Sequence, residues 1–265
     1  MTPIPILLYH SVAPEATPAY ARWCVDPELF ARHVEVVRTL GFTPLTISAL
    51  VDATAAGELP ERPMAITFDD GRADFTEHAL PVIEAAALPT TLYVVTGRIG
   101  ATSSWLPMAG EDDAAMMSWD GVRAADAAGV EIGSHSTTHV ELDVIGAARL
   151  PAEIDESRRR LTAELGHDVR SMSYPHGYHS ATVVRAVRAA GFDSACAVGD
   201  TWSSADDDRF ALRRKFVFGG TTPHALRELL LSPPDRPARP RRVLRTGWRC
   251  ARWARHRMPN RQGAR

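Results

Sequence analysis

Two adjacent carboxylates close an apolar run in Met64-Ala65-Ile66-Thr67-Phe68-Asp69-Asp70-Gly71. Runs of this kind are buried strands that end in turn residues. Side by side, two aspartates repel each other, and the like charge raises the pKa of one of them. A chain keeps such a pair as a solvated Asp-Asp-Gly turn, or as a site where a cation sits or one carboxylate does proton work. The stretch His135-Ser136-Thr137-Thr138-His139 tips the balance to a site, because it also follows an apolar run, Gly129-Val130-Glu131-Ile132-Gly133. Histidines at i and i+4 can face one way on a helical turn and bind one ion. Two imidazoles and one carboxylate make a zinc-type site with open positions for water and substrate. A metal so held activates water and polarises a carbonyl. One aspartate is then a ligand while its neighbour takes a proton from the water, and a neutral histidine can protonate a leaving nitrogen. The chemistry implied is metal-assisted hydrolysis of an amide or ester.

Side chains this far apart in the chain need a scaffold to bring them together. Strand signals fall at residues 4–9, 42–47, 63–68, 90–95, 130–133, 169–173, 192–198 and 210–218. Helical patterns separate them. Asp26-Pro27-Glu28 starts one that runs through Phe30, Val34, Val37 and Leu40 to Gly41. Ser48 caps a second that ends near Gly57, and others span 74–88, 118–129, 141–166, 180–190 and 222–231. In the fifth, Glu153, Asp155, Glu156, Arg158, Arg159, Arg160 and Glu164 mark a solvated face. Strands alternating with helices imply an α/β fold on a parallel sheet. A (β/α) barrel places its site at the C-terminal strand ends. His10, Asp69, Asp70, His135, Tyr174 and His176 all stand directly after strand signals. The irregular stretch 97–117 is long enough to be a functional loop. His33, His78 and His167 sit in helical or charged stretches and are expected to face solvent.

The 265 residues suffice for one large domain or two small ones. Three cysteines, widely separated and without metal spacing, suit a reducing compartment. The N-terminus has no basic segment and too short an apolar run for a signal peptide, so a cytoplasmic location is the expectation. No run approaches a membrane-spanning length. With no GxGxxG or GKS/T pattern, nucleotide-phosphate binding loses support.

These stretches resemble the polysaccharide deacetylases, the NodB-homology domain or carbohydrate esterase family 4. Thr67-Phe68-Asp69-Asp70-Gly71 is identical to that family's first motif, and His135-Ser136-Thr137-Thr138-His139 matches its second. Ser173-Tyr174-Pro175-His176-Gly177 is similar to the third, and the likeness spans roughly residues 4–230. The resemblance implies a distorted (β/α)7 barrel over residues 1–232 that removes acetyl groups from an N-acetylated sugar or glycan. It implies Asp69 as general base, and Asp70, His135 and His139 as ligands of a divalent metal, zinc first. It implies Tyr174, Pro175, His176 and Gly177 as the acetyl pocket, with a backbone N–H near His176 at the oxyanion.

Two departures matter. Many members carry a base-orienting arginine where Ser173 stands; Arg213 or Arg214 could substitute from the next strand, or serve only at the surface. No C-terminal Leu-x-His supplies the acid. Leu7-Leu8-Tyr9-His10 instead resembles the N-terminal strand of members similar to poly-N-acetylglucosamine deacetylases, which implies His10 as the acid. Trp105, in the long loop, is a candidate substrate contact. Trp119 and Trp202 are candidate sugar platforms or core residues. Alternatives to the glycan reading are a small-molecule or secondary-metabolite amide or ester, and a non-catalytic carbohydrate- or partner-binding domain. The second of these fits poorly with an intact Asp69 and ligand set.

Residues 233–265 form a Pro/Arg-rich tail. Eleven arginines and no acid lie from Arg236 to Arg265, so this end carries about +11 against about −13 for the rest. Val243, Leu244, Gly247, Trp248 and Ala251 recur at helical spacing, a pattern that fits a basic helix lying on anionic lipid. A disordered solubilising tail is the alternative, and nucleic acid is the less favoured partner.

Overall fold

The computed structural model describes residues 2–106 and 109–232. Seven strands form one parallel sheet. They are β1 (Ile6–Tyr9), β2 (Pro63–Phe68), β3 (Thr91–Val94), β4 (Glu131–Ser134), β5 (Ser171–Ser173), β6 (Ser194–Cys196) and β7 (Lys215–Phe216). Strands β1 to β6 lie side by side in chain order, and β7 returns to the free side of β1. Just ahead of β7, Leu212 bridges Cys196 of β6 in parallel, and Ala197 donates to its carbonyl at 2.7 Å. One segment therefore bonds both edges, and the sheet curls into a seven-stranded barrel. The tail lies outside the described residues, as does Cys250. Among the described residues no helix is long and apolar enough to cross a membrane.

Among the described residues seven α-helices surround the sheet: α1 (Pro27–Thr39), α2 (Ile47–Ala56), α3 (Leu80–Ala85), α4 (Trp119–Ala127), α5 (Leu150–Leu165), α6 (Ala181–Ala189) and α7 (Pro223–Leu231). Their starts are chemically explicit. Asp26, Ser118, Ser180 and Thr222 each accept a backbone N–H of the first turn. The cap of α2 is Thr46 rather than Ser48, because the Ser48 hydroxyl is committed to Glu131 at 2.7 Å. The helix expected over 74–88 opens as a wide π turn, Phe75–Ala79. Pro81 has no N–H for the carbonyl four residues back, so the ladder shifts register ahead of it.

Two expected strands are reduced to two residues each. Residues 42–47 contribute only Thr43–Pro44, paired with the start of β2. In 210–218 only Lys215–Phe216 is regular, since this segment leaves β6 for β1 midway.

Alternation along the strands divides the core in two. Leu7, Tyr9, Ile66, Phe68, Leu92 and Val94 belong to the large cluster that includes the helices' apolar faces. Ile6, Ala65, Tyr93, Cys196 and Leu212 form a second cluster with Ile47, Leu50 and Val51 of α2. Gly133 leaves the space that the Tyr93 ring occupies. Continuing the inward parity of Ala65 places Thr67 and then Asp69 toward the axis, at the C-terminal end.

Candidate active site

Asp69 is held on three sides. Arg214 donates from Nη1 to Oδ1 and from Nη2 to Oδ2, both at 2.7 Å, and Ser173 Oγ donates to Oδ2 at 3.2 Å. Arg214 has no exposed surface. Its remaining donors are used: Nε meets the Ala197 carbonyl at 3.1 Å, Nη1 also meets Thr67 Oγ1 at 3.2 Å, and Nη2 meets Ser173 Oγ at 2.7 Å. A buried charge pair is tolerated only with this degree of satisfaction. Burial alone would raise the Asp69 carboxyl, but Arg214 and His135 hold it below the usual carboxylate range.

Asp70 faces another way. Its φ is 76°, a left-handed conformation rare outside glycine, followed by Gly71 at 76°. The turn is tied down by Val95 N–H on the Asp70 carbonyl at 3.2 Å and Gly71 N–H on the Asp69 carbonyl at 3.1 Å. This reversal sends the two neighbouring carboxylates to different partners. Asp70 Oδ1 lies 3.5 Å from His135 Nε2 and 3.3 Å from His139 Nε2. Against the upward pull of burial, His139 and then His10 and His135 lower the Asp70 carboxyl.

The two histidines are not on a helical turn. They lie in a loop after β4 in which Ser136 and His139 have φ of 65° and 62°. Three of the bonds that shape it lie next to His139. His139 N–H donates to Ser136 Oγ at 3.0 Å, while Thr138 N–H and Thr138 Oγ donate to the two oxygens of Glu153 at 2.9 and 2.6 Å. Glu153 is therefore a buried loop anchor, not part of the solvated face of α5. His135 Nδ1 lies 2.8 Å from the Ser173 carbonyl. A carbonyl only accepts, so Nδ1 carries the proton and Nε2 presents its lone pair toward Asp70. Burial lowers the His135 pKa to about 4, so the ring is neutral at neutral pH.

Donor atoms of Asp70, His135 and His139 all lie within 4.8 Å of one another, and all three residues are buried. Among the described residues Asp70 Oδ1 accepts no hydrogen bond, although it is fully enclosed. Three convergent ligand atoms, one an unsatisfied carboxylate oxygen, fit a divalent cation.

Around this centre, the Trp105 ring stacks on His139 at 4.8 Å, and His176, with φ of 58°, meets it edge-on at 4.6 Å. His10 stands after β1 with its ring 5.1 Å from Trp23 and 6.1 Å from Phe216. Burial lowers its pKa, and Asp70 and Asp69 oppose that from nearby.

The other candidates make other contacts. Arg213 pairs with Asp207 at 2.8 Å and does not reach Asp69. Tyr174 turns its hydroxyl to the Phe210 carbonyl at 3.0 Å, its ring stacked on His179. Pro175 is buried, and Gly177 packs against Val198. Trp202 is buried, and Trp119 lies under the Arg160 guanidinium. His33 is a core residue, bonded to the Tyr9 hydroxyl at 3.1 Å and the Thr221 carbonyl at 2.7 Å. His167 does face solvent, paired with Asp126. A cavity of about 310 Å³ lies at the opposite barrel end, lined by Ile4, Leu50, Val51 and Leu212, away from these side chains.

Sequence reasoning missed Ser173 as a contact of Asp69, and it missed Glu153 and Trp23. Only the arginine expected at position 173 hinted that a polar partner belonged there.

Comparison with known proteins adds the following. The family model described as polysaccharide deacetylase matches residues 56–195. YxkH of Bacillus subtilis (strain 168), whose name places it with the polysaccharide deacetylases, is 23% identical over 218 residues, covering 82% of this chain and 72% of its own. The deacetylase PplD of Streptococcus pyogenes, solved with acetate, superposes with a TM-score of 0.75 at 22% identity, covering 86% of this chain and 98% of that one. IcaB of Ammonifex degensii superposes with a TM-score of 0.72 at 21% identity, covering 88% and 98%.

Proposed function

The chain belongs to the polysaccharide deacetylase family, and from that premise we propose that it hydrolyses the acetamido group of an N-acetylated sugar, with a divalent metal, to give the free amine and acetate. Asp70, His135 and His139 would hold the metal, zinc by the softness and number of the donors. When bound it supplies a Lewis acid for water and for the amide carbonyl.

The chain's own residues do the rest. Asp69 takes a proton from the attacking water, and Arg214 and Ser173 fix the direction its oxygens face. His135 stays neutral with its proton on Nδ1. His10, beside Asp70 and Asp69 at the end of β1, would deliver a proton to the leaving nitrogen as the imidazolium and be left neutral. A backbone N–H near His176 would steady the oxyanion.

One observation carries this reading. Adjacent carboxylates have been split into two environments, Asp69 clamped by a guanidinium and Asp70 turned to the Nε2 atoms of two imidazoles. Acetate release from N-acetylhexosamine oligomers, nucleotide sugars and lipid-linked sugars tests it. Release should require added divalent metal and stop with a chelator. Turnover undiminished by chelation refutes the metal role, and no release from any N-acetylated sugar refutes the substrate class.

A further inference from the structure

The cavity at the far end of the barrel takes no part in the chemistry at Asp69. It lies between α2 and a two-stranded ribbon in which Pro3–Ile4 pairs antiparallel with Ser203–Ser204. Its walls are apolar: Ile4, Ile6 of β1, Leu50 and Val51 of α2, and Leu212. All five are buried members of the second core cluster. Polar side chains in the wall are spent inside the protein. Thr54 Oγ1 donates to the Leu50 carbonyl at 2.7 Å. Ser203 Oγ donates to Asp207 Oδ2 at 2.9 Å, and Arg213 pairs with the same carboxylate at 2.8 Å. Arg209 differs. It lines the cavity, it is exposed, and among the described residues it makes no ion pair. Its guanidinium lies 5.5 Å from the Phe210 ring. The acids beside it are engaged elsewhere: Asp207 by Arg213, Asp208 by Arg188 at 3.0 Å, and Asp206 by Ser204 Oγ at 3.5 Å. Ala55, on the α2 side, is also exposed, so the cavity opens to solvent where these two residues stand.

We propose that this cavity binds a free straight-chain carboxylic acid of medium length, with its alkyl chain among Ile4, Leu50, Val51 and Leu212 and its carboxylate on Arg209. An apolar space excludes water and takes up apolar groups. A wall whose polar groups are already partnered offers nothing to a sugar or a nucleotide, whose hydroxyls would lose their hydrogen bonds on entry. One unpaired guanidinium at the opening selects the charge of the head group, and its planar fork matches a carboxylate. At about 30 Å³ per water-sized group, a cavity of about 310 Å³ holds roughly ten such groups, the size of octanoate. The acyl chain of a lipid lacks the required charge, because its carboxyl is esterified, and this makes the free acid the occupant.

The test uses the full chain, with octanoate, hexanoate and methyl octanoate as probes and calorimetry as the readout. Octanoate should bind about fifteenfold tighter than hexanoate, which is two methylenes shorter, at about fourfold for each methylene buried. Methyl octanoate should bind about threefold to fivefold more weakly than octanoate, the worth of an exposed ion pair. Arg209→Gln should remove that difference by weakening octanoate alone. Ala55→Trp, at an exposed helix position that leaves the core untouched, should abolish binding of both, with an unchanged unfolding temperature showing that the fold is intact. No binding of octanoate overturns the proposal, and so does equal affinity for octanoate and its methyl ester in the wild type. Binding that survives Ala55→Trp also overturns it, since the acid would then sit elsewhere on the protein.

Discussion

Arg214 reaches Asp69 from inside the barrel and engages both carboxylate oxygens at 2.7 Å, while sharing the Ser173 hydroxyl with it. Both members of the pair are buried, Arg214 completely. The attraction offsets a large desolvation cost, so the pair matters most when one member is removed. Arg214→Met should lower stability by about 3–5 kcal/mol at neutral pH, because it strands a buried anion. Adding Asp69→Asn should restore part of that loss, since no bare charge then remains. Urea unfolding of the two single variants and the double variant measures the coupling. Strictly additive losses would mean that the ion pair is not what stabilises this end of the barrel.

The same clamp separates the two aspartates in a metal titration. Both oxygens of Asp69 are engaged, whereas Asp70 Oδ1 has no donor among the described residues. Zinc at a hundred times its dissociation constant should stabilise the chain by about 2.7 kcal/mol. Thermal unfolding with and without zinc reads this directly. Asp70→Ala and His139→Ala should abolish the shift, and Asp69→Asn should keep it while ending acetate release. A zinc shift lost in Asp69→Asn but kept in Asp70→Ala would reverse the two assignments.

How far the sequence alone reached depended on whether a signal was local. The strand at 63–68 and the helix starts at Asp26, Ser118 and Ser180 rest on neighbouring residues, and the structure places them where the pattern does. The choice between Arg213 and Arg214 rests on which parity faces the axis. That parity is set by the register of β7 on β1 and by the bridge to β6, contacts with residues far away in the chain. Glu153 was hidden for the converse reason. It stands among other charges at helical spacing, so local pattern reads it as solvated, and only the docking of the 135–139 loop on α5 buries it. The i, i+4 histidine spacing pointed to a pair that the structure does bring together, but through a different geometry. Two left-handed residues do what a helical turn was expected to do.

Glu153 yields a third prediction. It is the one side chain that binds both the N–H and the hydroxyl of Thr138, next to His139. Groups that orient ligands from behind typically account for 10–100-fold in metal affinity. Glu153→Ala should weaken zinc binding by about that factor, and Glu153→Gln, which keeps one acceptor, by less. Competition against a chromophoric chelator measures both. Unchanged affinity in Glu153→Ala would show that the loop holds its shape by its other bonds, the Ser136–His139 contact and those of Thr137 to the Ala152 and Glu153 carbonyls.

His33 provides a stability readout independent of the site chemistry. It is 1% exposed. Its Nε2 lies 2.7 Å from the Thr221 carbonyl and must carry a proton, leaving Nδ1 to accept from the Tyr9 hydroxyl at 3.1 Å. Burial lowers its pKa; the Thr221 contact opposes that, and Arg32 adds to it. The folded pKa is thus below the unfolded value of about 6.5. Above that pH both states hold the neutral ring and the contribution is complete. As pH falls from about 6.5 toward the folded pKa, the unfolded chain takes up a proton that the folded chain refuses, and stability drops. One proton limits the slope to about 1.4 kcal/mol per pH unit. Other histidines with lowered pKa values add to the wild-type curve, so the informative quantity is the difference from His33→Gln, which keeps a donor and an acceptor but does not titrate. Urea unfolding at pH 7.5, 6.5, 5.5 and 5.0 should show the wild type losing its advantage over His33→Gln as the pH falls. A difference that stays constant across that range would place the acid sensitivity at other groups, and would mean that the Tyr9–His33–Thr221 chain accommodates the charged ring.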